Sequence, residues 1–174
     1  MQNTWAIDST RAQDHTNAAR YLTFFTGGQM MAISAADVVQ IVNIQEITPV
    51  PNAPAYVKGV INLRGDVLPV IDIRLRLGHP EAPYNEHTCI IVVQIRAGAF
   101  GFIVDMVDEV RDIAGERISP PPKLGRISAN DYLKGIGRLM DEHSKRERMV
   151  LLLDAAQLLG ASQIAALSQA AAQN

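Results

Sequence analysis

The most informative part of this chain runs from residue 56 to residue 74 and reads Tyr56-Val57-Lys58-Gly59-Val60-Ile61-Asn62-Leu63-Arg64-Gly65-Asp66-Val67-Leu68-Pro69-Val70-Ile71-Asp72-Ile73-Arg74. Two runs rich in β-branched residues flank the polar turn Asn62-Leu63-Arg64-Gly65, a pattern typical of a β-hairpin. The turn places one cation, Arg64, at the apex of an apolar hairpin. A turn Arg is often only a solvated charge, but an Arg held over apolar neighbours is a typical interface anchor. The pattern indicates a recognition surface and no catalytic centre.

The same pattern returns later in the chain in a blurred form. Four landmarks recur in the same order, namely Val38-Val39-Gln40-Ile41 with Val107-Asp108-Glu109-Val110, Ile47-Thr48-Pro49 with Ile118-Ser119-Pro120, Tyr56-Val57-Lys58-Gly59 with Tyr132-Leu133-Lys134-Gly135, and Asp72 with Asp154. Such repetition indicates a duplicated unit. Each copy divides into about five short strands separated by Gly-rich and Pro-rich turns, which favours small closed barrels. We therefore predict a mainly β fold with two five-stranded barrels.

The predicted domain boundaries follow from the same landmarks. Residues 1–19 are polar and aperiodic and predict a flexible N-terminal tail. Residues 20–160 form one domain, with a first barrel at about 20–80 and a second at about 86–160. Residues 161–174 are Ala-rich and predict a C-terminal helix or tail, with Leu158, Leu159, Ile164 and Leu167 at helical spacing.

Three local features predict details of the strands. Gly27-Gly28 predicts a two-residue hairpin turn, because glycine supplies the positive φ angles that such a turn needs. Ser34 is placed to cap a short turn before the strand that begins near Val38. Pro69 predicts that its strand lies at a sheet edge or carries a bulge, since proline cannot donate to a sheet ladder.

Composition excludes several classes of protein. The 174 residues carry a net charge of −2 without a basic cluster, so the chain lacks the charge pattern of a nucleic-acid binder. One cysteine, Cys89, excludes a disulfide framework. No apolar run reaches the ~18 residues that span a bilayer, so we predict no membrane insertion and a cytoplasmic location.

The candidate catalytic groups are weak. The four histidines, His15, His79, His87 and His143, are scattered through tail and loops and do not have metal-ligand spacing. A remote alternative is a small hydrolase that uses Asp72 and Asp105 as an acid and base. Asp72 and Asp154, however, each precede a predicted helical turn, where a carboxylate caps free backbone N–H groups. We therefore expect no catalytic residues, no metal and no cofactor.

These residues closely resemble the CheW-like coupling proteins of bacterial chemotaxis. The matching elements are Tyr21-Leu22-Thr23-Phe24, the Val-x-Ile segment at residues 39–41, Pro54 to Gly65, Leu68-Pro69-Val70-Ile71-Asp72, Gly101-Phe102-Ile103-Val104-Asp105 and Tyr132-Leu133-Lys134-Gly135-Ile136. Together they extend from about residue 19 to residue 159. The most specific of them is the Lys-Gly-x-x-Asn-Leu-Arg-Gly core that begins at Lys58.

The resemblance implies two SH3-like β-barrels packed side by side with a hydrophobic seam between them. It also implies a non-catalytic adaptor that links the cytoplasmic tip of methyl-accepting chemoreceptors to the regulatory domain of the histidine kinase CheA. Such an adaptor is cytoplasmic and is recruited to membrane-associated receptor arrays. An adaptor of a non-flagellar chemosensory pathway, controlling pili or surface behaviour, is an alternative that the sequence does not separate.

The resemblance also implies which residues bind partners. Arg64, with Asn62, Leu63 and Gly65, matches the signature turn associated with kinase and receptor contact, and Lys58 belongs to the same motif. Val38 and Ile41 match the apolar positions of a receptor-facing groove, and we expect Gln40 and Arg64 near its rim. The family usually has Glu where this chain has Gln40, whereas the second repeat keeps Glu109 in the equivalent position.

Overall fold

The fold is given by a computed structural model that describes residues 18–122 and 131–160. In chain order the elements are β1 (Ala18–Thr26), β2 (Gln29–Ser34), β3 (Val38–Asn43), β4 (Val57–Leu63), β5 (Asp66–Asp72), α1 (Ile73–Arg76), β6 (Cys89–Ile95), β7 (Gly98–Val104), β8 (Met106–Ala114), β9 (Ile118–Ser119), β10 (Leu133–Met140), β11 (Glu147–Leu153) and α2 (Ala155–Leu159). Short 3-10 turns precede β3 and β9. The predicted mainly β fold with a short helix near the C-terminus is confirmed.

The strands form two sheets. Sheet A has six strands in the order β8-β1-β2-β11-β10-β9, and sheet B has five in the order β3-β6-β7-β5-β4. Neighbouring strands pair antiparallel except for one parallel contact in each sheet, β2 with β11 and β5 with β7. The sheets are related by the repeat, because each landmark of the first copy occupies the same place in one sheet as its match does in the other.

The two sheets do not follow the two halves of the chain. The first hairpin, β1–β2, joins the later strands β8 to β11, and the second hairpin, β6–β7, joins the earlier strands β3 to β5. This differs from the predicted division into barrels at about 20–80 and 86–160. Each repeat supplies its first hairpin to the sheet of the other. The repeat pattern alone does not predict this exchange of hairpins. The exchange depends on pairings between distant segments, such as Leu22 with Val110.

The core has three parts that follow from side-chain alternation along the strands. Alternate residues of β1, β2, β6 and β7 point into a shared seam between the sheets, among them Leu22, Phe24, Ile91 and Phe102. The intervening residues pack in two separate apolar clusters, one formed by residues of sheet A and the other by residues of sheet B. These four strands are therefore buried on both faces, which fixes their register strongly. The seam is what joins the two subdomains.

Two aspartates cap the helices at equivalent positions, as predicted. The Asp72 side chain accepts a hydrogen bond from the N–H of Leu75, and the Asp154 side chain accepts one from Gln157 at 3.1 Å. Asp72 is also buried and accepts a hydrogen bond from the Tyr84 hydroxyl at 2.8 Å.

We expect the two caps to contribute unequally to stability. Asp154→Ala should cost about 1 kcal/mol, the usual value for a helix N-cap. Asp72→Ala should cost roughly 2–3 kcal/mol, because it also leaves the Tyr84 hydroxyl without its acceptor. Urea denaturation of both variants measures the difference. Equal losses would contradict a structural role for the Tyr84 contact.

Contrary to the prediction, Pro69 does not lie in an edge strand, and its own strand carries no bulge, because the register shift of the β4–β5 pair falls between Val57 and Gly59 of β4. Its strand, β5, lies between β7 and β4. The residue opposite Pro69 is Val60, whose N–H and C=O both bond to Thr48, so the Val60–Pro69 pair is not hydrogen-bonded. On the other side, β7 pairs with β5 only from Val70 onward. A proline fits this central position because no neighbouring strand needs its missing N–H.

Of four further predictions, one is confirmed and three differ from the structure or fall partly outside it. Gly27 and Gly28 do form the two-residue turn, with φ angles of 58° and 79°. Ser34 stands before the short turn but its side chain makes no capping hydrogen bond. The predicted tail ends earlier than residue 19, since β1 begins at Ala18. Residues 1–17 and the predicted C-terminal helix at 161–174 lie outside the described residues.

Candidate partner-binding surfaces

The signature turn is a tight two-residue connection between β4 and β5. Leu63 pairs with Asp66, which leaves Arg64 and Gly65 as the turn residues, with φ angles of 55° and 93°. The Asn62 side chain accepts a hydrogen bond from the Gly65 N–H at 2.9 Å and closes the turn. A left-handed conformation costs a non-glycine residue roughly 1–2 kcal/mol. The chain therefore carries Arg64 at a position that glycine would occupy more easily.

Arg64 differs from the other arginines near this hairpin. Its side chain is exposed, and among the described residues it has no hydrogen bond or ion pair. Arg74 instead pairs with Asp105. Arg76 lies between the rings of Tyr56 and Tyr132, at 5.3 and 5.4 Å from their centroids. Arg74 and Arg76 thus hold the fold together, whereas the Arg64 guanidinium is available to a partner.

A second candidate surface is an apolar crevice between the two sheets. It is lined by residues of β1, β3, β8 and the turn before β3, namely Leu22, Ala35, Val38, Val39, Gln40, Ile41 and Val110. β3 and β8 are the end strands of their sheets, so the crevice lies where the two edges approach each other. The structure thus brings together the predicted Val38, Gln40 and Ile41. Arg64 is not among the lining residues.

Val39 is a further lining residue, and the alternation pattern of the sequence does not predict it. It is 58% exposed, whereas Val38 and Ile41 are half-buried and pack against the seam. The register of β3 shifts at this point, because Val38 pairs with Val93 while Gln40 pairs with Val92. Such a bulge leaves Val39 without a partner and turns its side chain away from the simple alternation. Regular alternation cannot reveal the residue, and no other signal in the sequence marks the bulge.

Gln40 and Glu109 occupy equivalent positions but have different surroundings. Glu109 forms an ion pair with Arg111 at 2.9 Å, and its backbone bonds to the Thr23 hydroxyl. Among the described residues the Gln40 side chain has no hydrogen bond. The amide can therefore donate to or accept from a molecule that enters the crevice, without first breaking an internal contact.

Lys58 is engaged within the fold. Its ammonium forms an ion pair with Glu81 and lies 5.9 Å from the centroid of the Tyr84 ring. Lys58 is also separated from Arg64 by six residues of an extended strand, or about 20 Å. The structure therefore gives Lys58 an internal role and does not group it with the turn.

The two carboxylates of the hydrolase alternative are both in structural use. Asp72 caps α1 and accepts a hydrogen bond from the Tyr84 hydroxyl. Asp105 accepts a hydrogen bond from the Gly27 N–H at 2.9 Å and pairs with Arg74. Burial of the Tyr84 ring, together with its hydrogen bond to Asp72, raises the pKa of the phenol well above its usual range. The phenol remains a donor, and the arrangement gives the hydrolase no support.

Two further observations concern the described part of the chain. It contains no group of three His, Cys, Asp or Glu side chains arranged to hold a metal ion. Its longer helix, α2, has five residues, so none of the described helices can cross a bilayer.

Comparisons with known proteins agree on one family. The model of the CheW-like domain matches residues 20–163. A chemotaxis protein CheW of Klebsiella aerogenes is 33% identical over 150 residues, which is 86% of this chain and 87% of the relative. A chemotaxis protein CheW of Bacillus subtilis is 38% identical over 126 residues, or 70% of this chain and 81% of the relative. The crystal structure of the scaffolding protein TtCheW from Thermoanaerobacter tengcongensis superposes with a TM-score of 0.73 at 29% identity, covering 84% of this chain and 95% of that one.

Proposed function

Because this chain belongs to the CheW-like family, we propose that it is a non-catalytic chemotaxis adaptor that links chemoreceptors to a CheA-type histidine kinase. The observation that carries the proposal is the separation of its two candidate surfaces. The crevice is built from β1, β3 and β8, whereas the Arg64 turn joins β4 and β5. In sheet B, β3 and β4 lie at opposite ends of the strand order. The two surfaces share no residue, so neither partner needs the residues that the other one contacts.

The crevice fits the receptor end of this link. The cytoplasmic tip of a chemoreceptor is a helical hairpin, and an amphipathic helix places apolar residues at i, i+3 and i+4 into an apolar groove. Val39 and the half-buried Val38 and Ile41 supply the apolar contact, while Gln40 supplies a polar one. A contact of this kind is modest in area and reversible, as a signalling joint requires.

The Arg64 turn fits the kinase end. An exposed guanidinium on a rigid two-residue turn loses little conformational freedom on binding and offers a fork of donors to a carboxylate or to backbone carbonyls. The hydrogen bond from Gly65 to Asn62 fixes the direction in which the turn presents that fork. We assign Arg64, Asn62, Leu63 and Gly65 to the kinase contact on this basis.

Two substitutions of Arg64 separate its binding role from its structural role. Arg64→Ala and Arg64→Gly both remove the guanidinium, but only glycine relieves the left-handed conformation. We expect Arg64→Gly to be more stable than Arg64→Ala by up to about 1 kcal/mol. Both should bind the kinase regulatory domain at least about tenfold more weakly, as interface anchors do. Calorimetric titration and thermal melts measure the two effects.

The same titrations test the proposed function. The parent protein should bind both the kinase regulatory domain and a receptor-tip fragment. Its affinity for each partner should be the same whether or not the other partner is present. Val39→Asp should lose the receptor fragment, and Arg64→Gly should lose the kinase domain. A parent protein that binds neither partner would overturn the proposal, and loss of both partners in each variant would overturn the assignment of separate surfaces.

A further inference from the structure

The outer face of the β10–β11 hairpin carries four exposed side chains that form a compact tile. Arg138 pairs with Met149 across the two strands, and Met140 pairs with Glu147. Residues two apart on a strand, and residues opposite each other, point to the same face. All four side chains are exposed, with Met149 at 60% and Met140 at 49%. The opposite face of the hairpin, with Leu139, Val150 and Leu152, fills the interior of sheet A.

The arrangement of the tile is diagonal. The two methionines occupy one pair of opposite corners, and Arg138 and Glu147 occupy the other pair. Adjacent strands are about 4.8 Å apart, and residues two apart on a strand are separated by about 6.7 Å. A two-fold axis along the methionine diagonal lays each methionine over its own copy. The same axis brings Arg138 over Glu147 of the second molecule, to within the reach of these long side chains.

We infer that this tile is a self-association surface, through which the chain pairs with a second copy of itself. An isologous contact requires that a patch be complementary to itself under a two-fold rotation, and this tile satisfies the requirement in both charge and polarity. Methionine suits the apolar centre because its flexible thioether adapts to an imperfect fit. The hairpins cross obliquely, since the tile is longer along the strands than across them.

The two charges of the tile can form the new contact. Among the described residues Arg138 has no hydrogen bond or ion pair. Within the part of the chain that the structure describes, Glu147 has only a 4.0 Å pair with Arg117, and both of those side chains are about half exposed. Exposed pairs of this kind contribute little, so Glu147 can exchange its partner at small cost. The resulting dimer has two Arg–Glu pairs around a methionine centre.

The pairing is weak and depends on concentration. Stable specific interfaces bury about 1,200–2,000 Å² in total, and a tile of four side chains is smaller than that. Salt should weaken the pairing, because exposed charges are screened. None of the four residues lines the crevice or belongs to the Arg64 turn. A paired molecule therefore keeps both candidate partner surfaces open.

Charge exchange tests the inference with the full chain. In Arg138→Glu the second copy presents Glu147 to a glutamate, and in Glu147→Arg it presents Arg138 to an arginine. We expect each variant alone to raise the dimer dissociation constant at least about tenfold in sedimentation experiments. An equimolar mixture of the two variants should recover the association of the parent, because every facing pair then has opposite charge. Circular dichroism melts should be unchanged.

Three results would overturn the inference. They are a parent that stays monomeric from micromolar to millimolar concentration, variants that associate as well as the parent, and a mixture that does not recover association. These results are independent of the proposed function. A monomeric parent that still binds receptor and kinase would overturn the self-association surface and support the adaptor function. A dimer that binds neither partner would overturn the adaptor function and support the self-association surface.

Discussion

Val39→Asp should bind a receptor-tip fragment at least about 100-fold more weakly than the parent, a loss of about 2.7 kcal/mol. Val39 is 58% exposed in the isolated chain, so an aspartate there remains hydrated and the fold is undisturbed. When an apolar helix covers the crevice, the same carboxylate is buried without a partner, which costs several kcal/mol. Isothermal titration with the fragment measures the loss.

A matched control distinguishes the crevice from the surface in general. Met149 is as exposed as Val39, at 60%, and lies on the outer face of the β10–β11 hairpin. Met149→Asp should leave the affinity for the receptor fragment unchanged. The same substitution at Val38 is a poorer test, because Val38 packs against the seam and the variant would also lose stability. Equal losses in Val39→Asp and Met149→Asp would place the receptor outside the crevice.

Gly59→Ala is expected to abolish cooperative folding. Gly59 has a φ angle of 141°, and a Cβ atom there would lie 2.0 Å from the carbonyl oxygen of Thr48. The clash is with backbone that is itself held by two hydrogen bonds to Val60, so neither segment can move without breaking the bridge. We expect a loss of more than about 4 kcal/mol, which is exceptional for one substitution.

Gly78→Ala is the control for the backbone strain alone. Gly78 also has a positive φ angle, 85°, but no atom lies within 4 Å of its added Cβ. This variant should lose only the roughly 1–2 kcal/mol of the left-handed conformation. Thermal melts followed by circular dichroism compare the two. If both variants melt at similar temperatures, the close approach of Thr48 to Gly59 is not a constraint on the fold.

Local features of the fold could be read from the sequence because their causes are local. Gly27-Gly28 marks a turn by its φ preference, and Asp72 and Asp154 mark helix starts by their capping chemistry. The exchange of hairpins between the repeats could not be read, because pairing of β1 with β8 and of β6 with β3 is set by packing across the seam. The edge position predicted for Pro69 is wrong for the same reason, because only the pairings of the neighbouring strands show that no N–H donor is needed at this position.

The candidate site was predictable in part. The Asn62 to Gly65 motif marked the turn, and Val38, Gln40 and Ile41 were expected in a groove that the structure places between the sheets. Val39 was missed because a bulge breaks the alternation. The motif alone groups Lys58 with the turn, whereas its ion pair with Glu81 depends on tertiary structure.

The adaptor role is tested most directly by capture of the kinase on an immobilised receptor-tip fragment. Purified kinase should be retained on the fragment only when this protein is added, and Arg64→Gly and Val39→Asp should each abolish retention. Because one molecule must contact both partners, an equal mixture of the two variants, each also carrying Arg138→Glu so that they cannot pair with each other, should likewise fail to retain the kinase. Retention of the kinase without the protein, or by the mixture of variants that cannot pair, would contradict a single molecule that bridges receptor and kinase through two separate surfaces.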